Sequence, residues 1–317
     1  MDSGTVASAD ALRRGGRSRA ARPRRPALQR RRGRVGVLVV LPAVLFVTVF
    51  FLVPLGLMIW MSFNNWPLFG RTRPIGLENY REVLGDQTFG QSLVFTAKYT
   101  ALATPLQVVA GYGLALLVRR RLRGVGLFRT VYFLPVVLGI AATSYAFLVM
   151  LQPGTGVVDG AVKWLGLSGG NVAWLGDAKL SLPVVALLTS WKNVGVAMIL
   201  FLAGMQAVPH ELGEAARIDG AGWWQRELRV TLPLLRRTSA LVLLLTITAS
   251  ILTFDQFYIL TRGGPHNTTL TSVLWIYTIS FIRYRLGYGA ALSVALLIVL
   301  IVLCVAQLRL LRKDVEL

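Results

Sequence analysis

Cysteine is nearly absent. Cys304 is the only one in 317 residues, so an intrachain disulfide is excluded, and its place inside an apolar run reads as a small buried side chain. Histidine is almost as scarce, and His210 and His266 stand at the ends of different apolar segments; no metal site is indicated. Nowhere does Lys follow Gly, which removes the phosphate-cradling loop G-x-x-x-x-G-K-[ST], and no H-E-x-x-H pair occurs. The chain is therefore not a nucleotidase of that kind, and any ATP in its working cycle is bound elsewhere. Acidic residues are also few, 14 against 34 basic, for a net charge of +20.

Apolar residues make up what is missing. They are 55% of the chain against 15% charged, with a mean hydropathy of +0.60, a balance that no soluble core needs. A helix crossing the hydrocarbon takes roughly 20 apolar residues. Six spans emerge, at about 35–61, 92–118, 127–151, 181–208, 238–261 and 286–308. The expected fold is all-α, a polytopic membrane protein with six transmembrane helices. The apolar patch Leu270 to Ile282 follows Gly263-Gly264-Pro265 and is too short to span, so it reads as an interfacial helix.

So basic a chain raises the question of nucleic acid, but its charge is not gathered into one patch. With six spans and the N-terminus inside, 11 basic residues precede Val35, 5 lie from Arg119 to Arg129, 5 from Arg217 to Arg237 and 3 after Leu308. That is 24 of 34, the positive-inside asymmetry that orients membrane proteins, and it puts both termini in the cytoplasm. Residues 1–34, rich in Arg, Ala, Gly and Pro, read as a disordered basic tail. Against anionic lipid it would gain about 1 kcal/mol per basic residue near the surface. Residues 312–317 form a second, short cytoplasmic tail, and 35–311 the membrane domain.

The connection 209–234 is the most informative segment. Pro209 suits a first helical turn, Glu211 and Glu214 favour the positive end of the helix dipole, and Asp219-Gly220 are residue types that tolerate a left-handed ending. Ala215 and Ala216 are small enough to admit a close surface, while Trp223, Trp224 and Leu228 give the next segment an apolar side. A polar hairpin wedged between two spans has no reason to serve the bilayer; it serves a partner. The run Glu214-Ala215-Ala216, then Asp219-Gly220-Ala221, then Leu232-Pro233 resembles the coupling loop of importer permeases driven by ATP-binding cassettes.

The resemblance covers nearly the whole chain after residue 37. Pro54, Ser62-Phe63, Trp66 and Gly76-Leu77-Glu78-Asn79-Tyr80 look like the opening of permeases in the maltose, lactose and glycerol-phosphate uptake group. Phe128-Arg129, Leu134-Pro135 and Trp191 with Gly195 fit as well. Thr261, Gly263, Gly264 and Pro265, with Thr269 and Gly287 to Ser293, resemble the maltose-type first subunit. Leu228 stands where the group usually carries Phe. The resemblance implies a second, non-identical permease, two cytoplasmic ATPase subunits that hold ATP and Mg, and an extracytoplasmic solute-binding protein. No cofactor is implied for this chain, nor any catalytic residue.

Charges and aromatics within spans are the candidates for the solute pathway, since an ionisable group there faces protein or water. Asp255, with Phe254 and Tyr258, offers a carboxylate for hydroxyls beside rings that stack on sugar faces; its alternative is a structural carboxylate bonded to a neighbouring helix or to the amides near Gly263. Trp191 and Asn193 are weaker candidates, and Lys192 between them reads as structural or snorkelling. The implied function is passage of a sugar or related polyol, driven by ATP through alternating access. An ion-coupled secondary carrier is the alternative; such carriers commonly show two matched internal halves, and no such repeat is visible.

Overall fold

The computed structural model describes residues 39–119, 124–167 and 170–313. The basic tail expected over 1–34, the expected start of the first span at 35–38 and the last residues, 314–317, lie outside the described residues. The chain divides into two units, 1–56 and 57–317. The described part of the first is a continuous apolar helix, with a π-helical stretch at Thr48–Leu52. This helix, α1, runs Val39–Ser62.

The second unit continues through a two-stranded antiparallel hairpin, β1 (Asn64–Asn65) and β2 (Arg73–Pro74), with Asn64 opposite Pro74. Next come α2 (Glu78–Gly85) and α3 (Gln87–Arg119), whose 33 residues reach about 50 Å, longer than the hydrocarbon. Then follow α4 (Val125–Val137), α5 (Ile140–Met150), α6 (Val157–Trp164) and α7 (Ala178–Gln206). The segment after α7 holds α8 (His210–Ile218), α9 (Trp223–Arg226), a π-turn at Glu227–Thr231 and the single turn α10 (Leu232–Leu234). The remainder is α11 (Arg236–Ile251), α12 (Asp255–Leu260), α13 (Ser272–Ile282, its last turn π-helical) and α14 (Leu286–Lys313).

Five described helices are long and apolar enough to cross a membrane, six if one bent pair counts as a single span. That pair replaces the straight third span expected at 127–151. α4 and α5 meet at 94°, because Leu138 and Gly139 are extended, with ψ of 138° and 134°. Pro135, inside α4, has already removed one amide donor from the ladder. The freed carbonyls find a donor on another helix. Lys192 Nζ donates to the oxygens of Pro135 at 3.1 Å, Val136 at 3.4 Å and Leu138 at 2.8 Å, and its residue is only 5% exposed. An ammonium at a helix C-terminus also meets the negative end of the helix dipole.

The span expected at 238–261 is present as one span, Arg236–Leu260, but its helix is interrupted at 252–254. α11 ends at Ile251 and α12 begins at Asp255, with the carbonyl of Thr253 accepting from Thr271 Oγ1 at 3.1 Å. The short helix α12 packs against α5, so the C-terminal halves of the two interrupted spans lie together. The patch after the glycines forms α13, too short to span, whose Leu274, Trp275 and Ile279 are buried in the main core while Phe281 and Ile282 at its end are exposed.

Glycine sets the helix spacing. A Cβ at Gly111 of α3 would stand 2.5 Å from Ala197 Cβ of α7, and one at Gly195 would stand 2.7 Å from the carbonyl oxygen of Tyr132 on α4. Small residues at a crossing let backbones approach, and in a membrane that van der Waals contact replaces the missing hydrophobic drive. Two apolar cores result. One gathers Phe95, Tyr99 and Phe257 with the buried face of α13, the other Ala115, Met198, Phe201 and Leu235 at the opposite end of the bundle.

Candidate functional site

Three groups of polar residues stand out, one at each end of the bundle and one between the interrupted spans. At the end that charge asymmetry assigns to the outside, Asp86 precedes α3 and joins three elements. Its Oδ2 accepts from Trp275 Nε1 at 2.9 Å and from Tyr288 OH at 2.8 Å, while Oδ1 accepts from the amide of Phe89 at 3.0 Å. Burial pushes this carboxyl up, but the donors outweigh it and hold the group below its ordinary value. Beside it Arg285 grips Glu82 through two 2.6 Å bonds. Asn79 Nδ2 donates to the carbonyls of Ser62 at 2.8 Å and Asn64 at 3.1 Å. Gly287 is required there, since a Cβ would lie 2.1 Å from the oxygen of Asn64.

A carboxyl held below its ordinary value stabilises the fold fully above the unfolded value near 3.9, and that contribution is lost as pH falls through the lowered folded value. Thermal unfolding of purified protein should therefore change little from this cause between pH 7 and 5 and fall off below about 4. Asp86→Asn should lower the melting temperature at pH 7 and flatten that acid limb. An unchanged acid limb in the variant would remove Asp86 from the account.

The Thr261-Gly263-Gly264-Pro265 loop closes on itself. Thr269, fully buried, donates to the carbonyl of Gly264 at 2.6 Å, and its amide reaches the carbonyl of Gly263 at 3.2 Å. Gly263 has a φ of +83°, and a Cβ would press Leu270 at 3.1 Å. Before α7, Asp159 accepts from the amides of Gly154, Asn171 and Val172 at 2.8–3.1 Å. The Gly154 bond is named first among the causes that hold this carboxyl below its ordinary value.

Between the interrupted spans, Asp255 opens α12 and is exposed, with no side-chain partner among the described residues. The structural alternative, a carboxylate bonded to a neighbouring helix or to the amides near Gly263, is not what the structure shows. Phe254 stacks on Tyr258 at 5.3 Å and 17°, and both contact Tyr277 at 5.1 and 5.4 Å. Trp191, 46% exposed, meets Phe147 of α5 edge-on at 5.5 Å. Since α5 packs on α12, the helix carrying Phe147 links the two aromatic groups. Asn193 is half-buried, and its side chain has no hydrogen-bond partner among the described residues.

At the other end α8 is nine residues long and finishes as the sequence dictates. Gly220 has a φ of +79°, its amide donates to the carbonyl of Arg217 at 3.1 Å, and that of Ala221 reaches back to Ala216 at 2.9 Å. That bond pair is a Schellman ending. Glu214, Ala215 and Asp219 are exposed, and Ala216 and Ala221 half-buried. Leu232 and Pro233 form the turn α10. Ile218 is 87% exposed and Trp224 67%, and Leu228 is exposed as well, so it fills no core within the hairpin. Glu227 is the residue that anchors the hairpin: only 8% exposed, it takes Tyr112 OH at 3.3 Å and Arg119 at 3.5 Å, both on α3.

Known proteins share this fold. The family described as "Binding-protein-dependent transport system inner membrane component" matches residues 107–314. The chain belongs to that family. It is 31% identical over 282 residues to the probable ABC transporter permease protein YurN of Bacillus subtilis, covering 88% of this chain and 96% of YurN. It is 31% identical to the trehalose/maltose transport system permease protein MalF of Thermococcus litoralis, covering 87% and 92%. The fold matches, at 21% identity and a TM-score of 0.79, a chain in the crystal structure of a bacterial alginate ABC transporter in complex with alginate pentasaccharide-bound periplasmic protein, covering 90% of this chain and 96% of that one.

This permease is thus a multi-pass inner-membrane component of a transporter, not an enzyme, and it has the type I importer fold. Sequence reasoning passed over Asp86, Asp159 and Glu227. Each is an acid flanking an apolar segment, next to a turn or helix start, and that placement was the available signal. Lys192 it left between two structural readings; the structure makes it a cap on the broken third span.

Proposed function

We propose that this permease is one of two unlike membrane subunits of an ATP-driven importer for a sugar or related polyol, with both termini in the cytoplasm. The observation that carries the substrate class is Asp255: an exposed, unpartnered carboxylate at a break in a span, beside the Phe254–Tyr258–Tyr277 cluster. A carboxylate accepts from sugar hydroxyls, and aromatic faces cover the apolar side of a pyranose ring. Relatives named for trehalose and maltose, for starch degradation products and for sn-glycerol-3-phosphate are in keeping with this.

In this reading an external solute-binding protein docks on the short loops around Asp159 and the Thr261–Pro265 turn. Two cytoplasmic ATPase subunits hold ATP and Mg; no such group is assigned to this chain. Closure of the ATPases moves α8, and Glu227 passes that movement to α3 through Arg119 and Tyr112. The bundle then opens alternately to either side. This is a coupling free energy between separated sites, with bond cleavage left to the partners.

Asp255→Asn should leave assembly and basal ATPase activity intact and lower uptake about 10- to 100-fold, the worth of hydrogen bonds to a charged group. Uptake by the variant at the wild-type rate would remove Asp255 from the pathway. Reporters fused after residues 70, 165 and 270 should score outside, and after 222 inside; an inside score at 270 would overturn the orientation.

A further inference from the structure

A cavity of about 220 Å³ lies at the junction of α8, the π-turn and the end of α3. Arg119 from α3, His210 and Arg217 from α8 and Arg226 from α9 line it, with Glu214 and Thr231. Three arginines and one glutamate therefore line the same hollow. Arg119 is drawn partly to Glu227 at 3.5 Å. Neither Arg217 nor Arg226 has an ion-pair partner among the described residues, and Glu214 approaches neither within 4.0 Å. The Nε of Arg226 is sealed from solvent and has no hydrogen-bond partner.

A buried guanidinium N–H without an acceptor is costly, and like charges crowded around one hollow add to that cost. Both are relieved by an anion with several oxygens. The planar fork of arginine matches phosphate oxygens two at a time, and three forks from three elements match a tetrahedral group better than a planar one. The cavity also lies at the last residue of α3 and just past the end of α7, two helices long and apolar enough to cross a membrane, with Val208 in its wall. Basic hollows between the ends of such helices suit phosphorylated headgroups.

We propose that this cavity is a phosphate-binding site, filled either by the headgroup of an anionic phospholipid or by free phosphate. The bound group ties Arg217 of the hairpin to Arg226 and to Arg119 of the bundle, so occupancy stiffens the joint between α8 and α3. The site does not depend on what α8 docks against.

The test uses the transporter purified with its partner subunits and stripped of lipid, comparing the wild type with Arg226→Gln and Arg217→Gln. Because ATPase subunits bind phosphate themselves, the signal is the difference between wild type and variants. Titrated inorganic phosphate should bind one additional site in the wild type, weakened about 10-fold or more in either variant, while Arg226→Lys, which keeps the charge, loses less. Native mass spectrometry after exposure to phosphatidylglycerol or phosphatidylcholine vesicles separates the sources. One retained phosphatidylglycerol that phosphate displaces, and that Arg226→Gln loses, assigns the headgroup. Phosphate binding without retained lipid assigns the free ion. Phosphate affinity and lipid retention equal in the wild type and both variants would overturn the site. Should Arg226→Gln fail to assemble, Arg217→Gln, on an exposed side chain, carries the same comparison.

Discussion

Lys192→Met should lower the stability of this permease by about 2–5 kcal/mol, and Lys192→Arg should recover much of it. The ammonium donates to three carbonyls at the end of α4, and a hydrogen bond to a charged group is worth roughly 1.5–3 kcal/mol. Methionine matches the stem but offers no donor, and the hydrocarbon supplies no water to replace it. The C-terminal carbonyls of α4 are then orphaned at a bend that Pro135 and Gly139 maintain. Melting of the detergent-solubilised complex, followed by monodispersity on gel filtration, reads the loss. A wild-type melting temperature for Lys192→Met would show that the ammonium caps nothing.

That prediction could not have been written from the sequence, and the reason is physical. Hydropathy sees side chains, not backbone, so residues 127–151 read as one unbroken apolar run. The break at Leu138–Gly139 leaves no mark in hydropathy, and the residue that satisfies it lies more than fifty positions away on α7. Long spans were legible because they depend on composition alone. The ending of α8 was legible because a left-handed residue after a helix calls for glycine, and Gly220 stands there with its two backbone bonds. Asp255 was legible as a charge in a span, but that its oxygens are free of protein donors is a property of the packed helices. Glu227 was illegible for the opposite reason. On a hairpin of mixed charge it looked like one more exposed acid, and only the approach of Tyr112 and Arg119 makes it a buried anchor.

Gly220→Val should abolish uptake while leaving the permease inserted and abundant. At Gly220 a side chain would meet nothing within 4 Å, so crowding is not the issue. Its φ is +79°; a non-glycine residue held in that region costs on the order of 1–3 kcal/mol, and a β-branched one most. The chain escapes by unwinding the Schellman turn, which frees the carbonyls of Ala216 and Arg217 and swings Ile218 away from its present position. Gly220→Asn, which tolerates the left-handed region, should keep most of the uptake. Ala216→Asp tests the surface rather than the turn: α8 should still form, but a carboxylate is placed where a partner would press closely, and an unpaired charge in such a contact is strongly unfavourable. Co-purification, ATPase and uptake assays on the same preparations separate the outcomes. Lost ATPase retention means the docking surface failed, and retained ATPase with hydrolysis but no uptake means the joint slipped. Wild-type uptake in Gly220→Val and Ala216→Asp together would mean that α8 does not couple this permease to ATP.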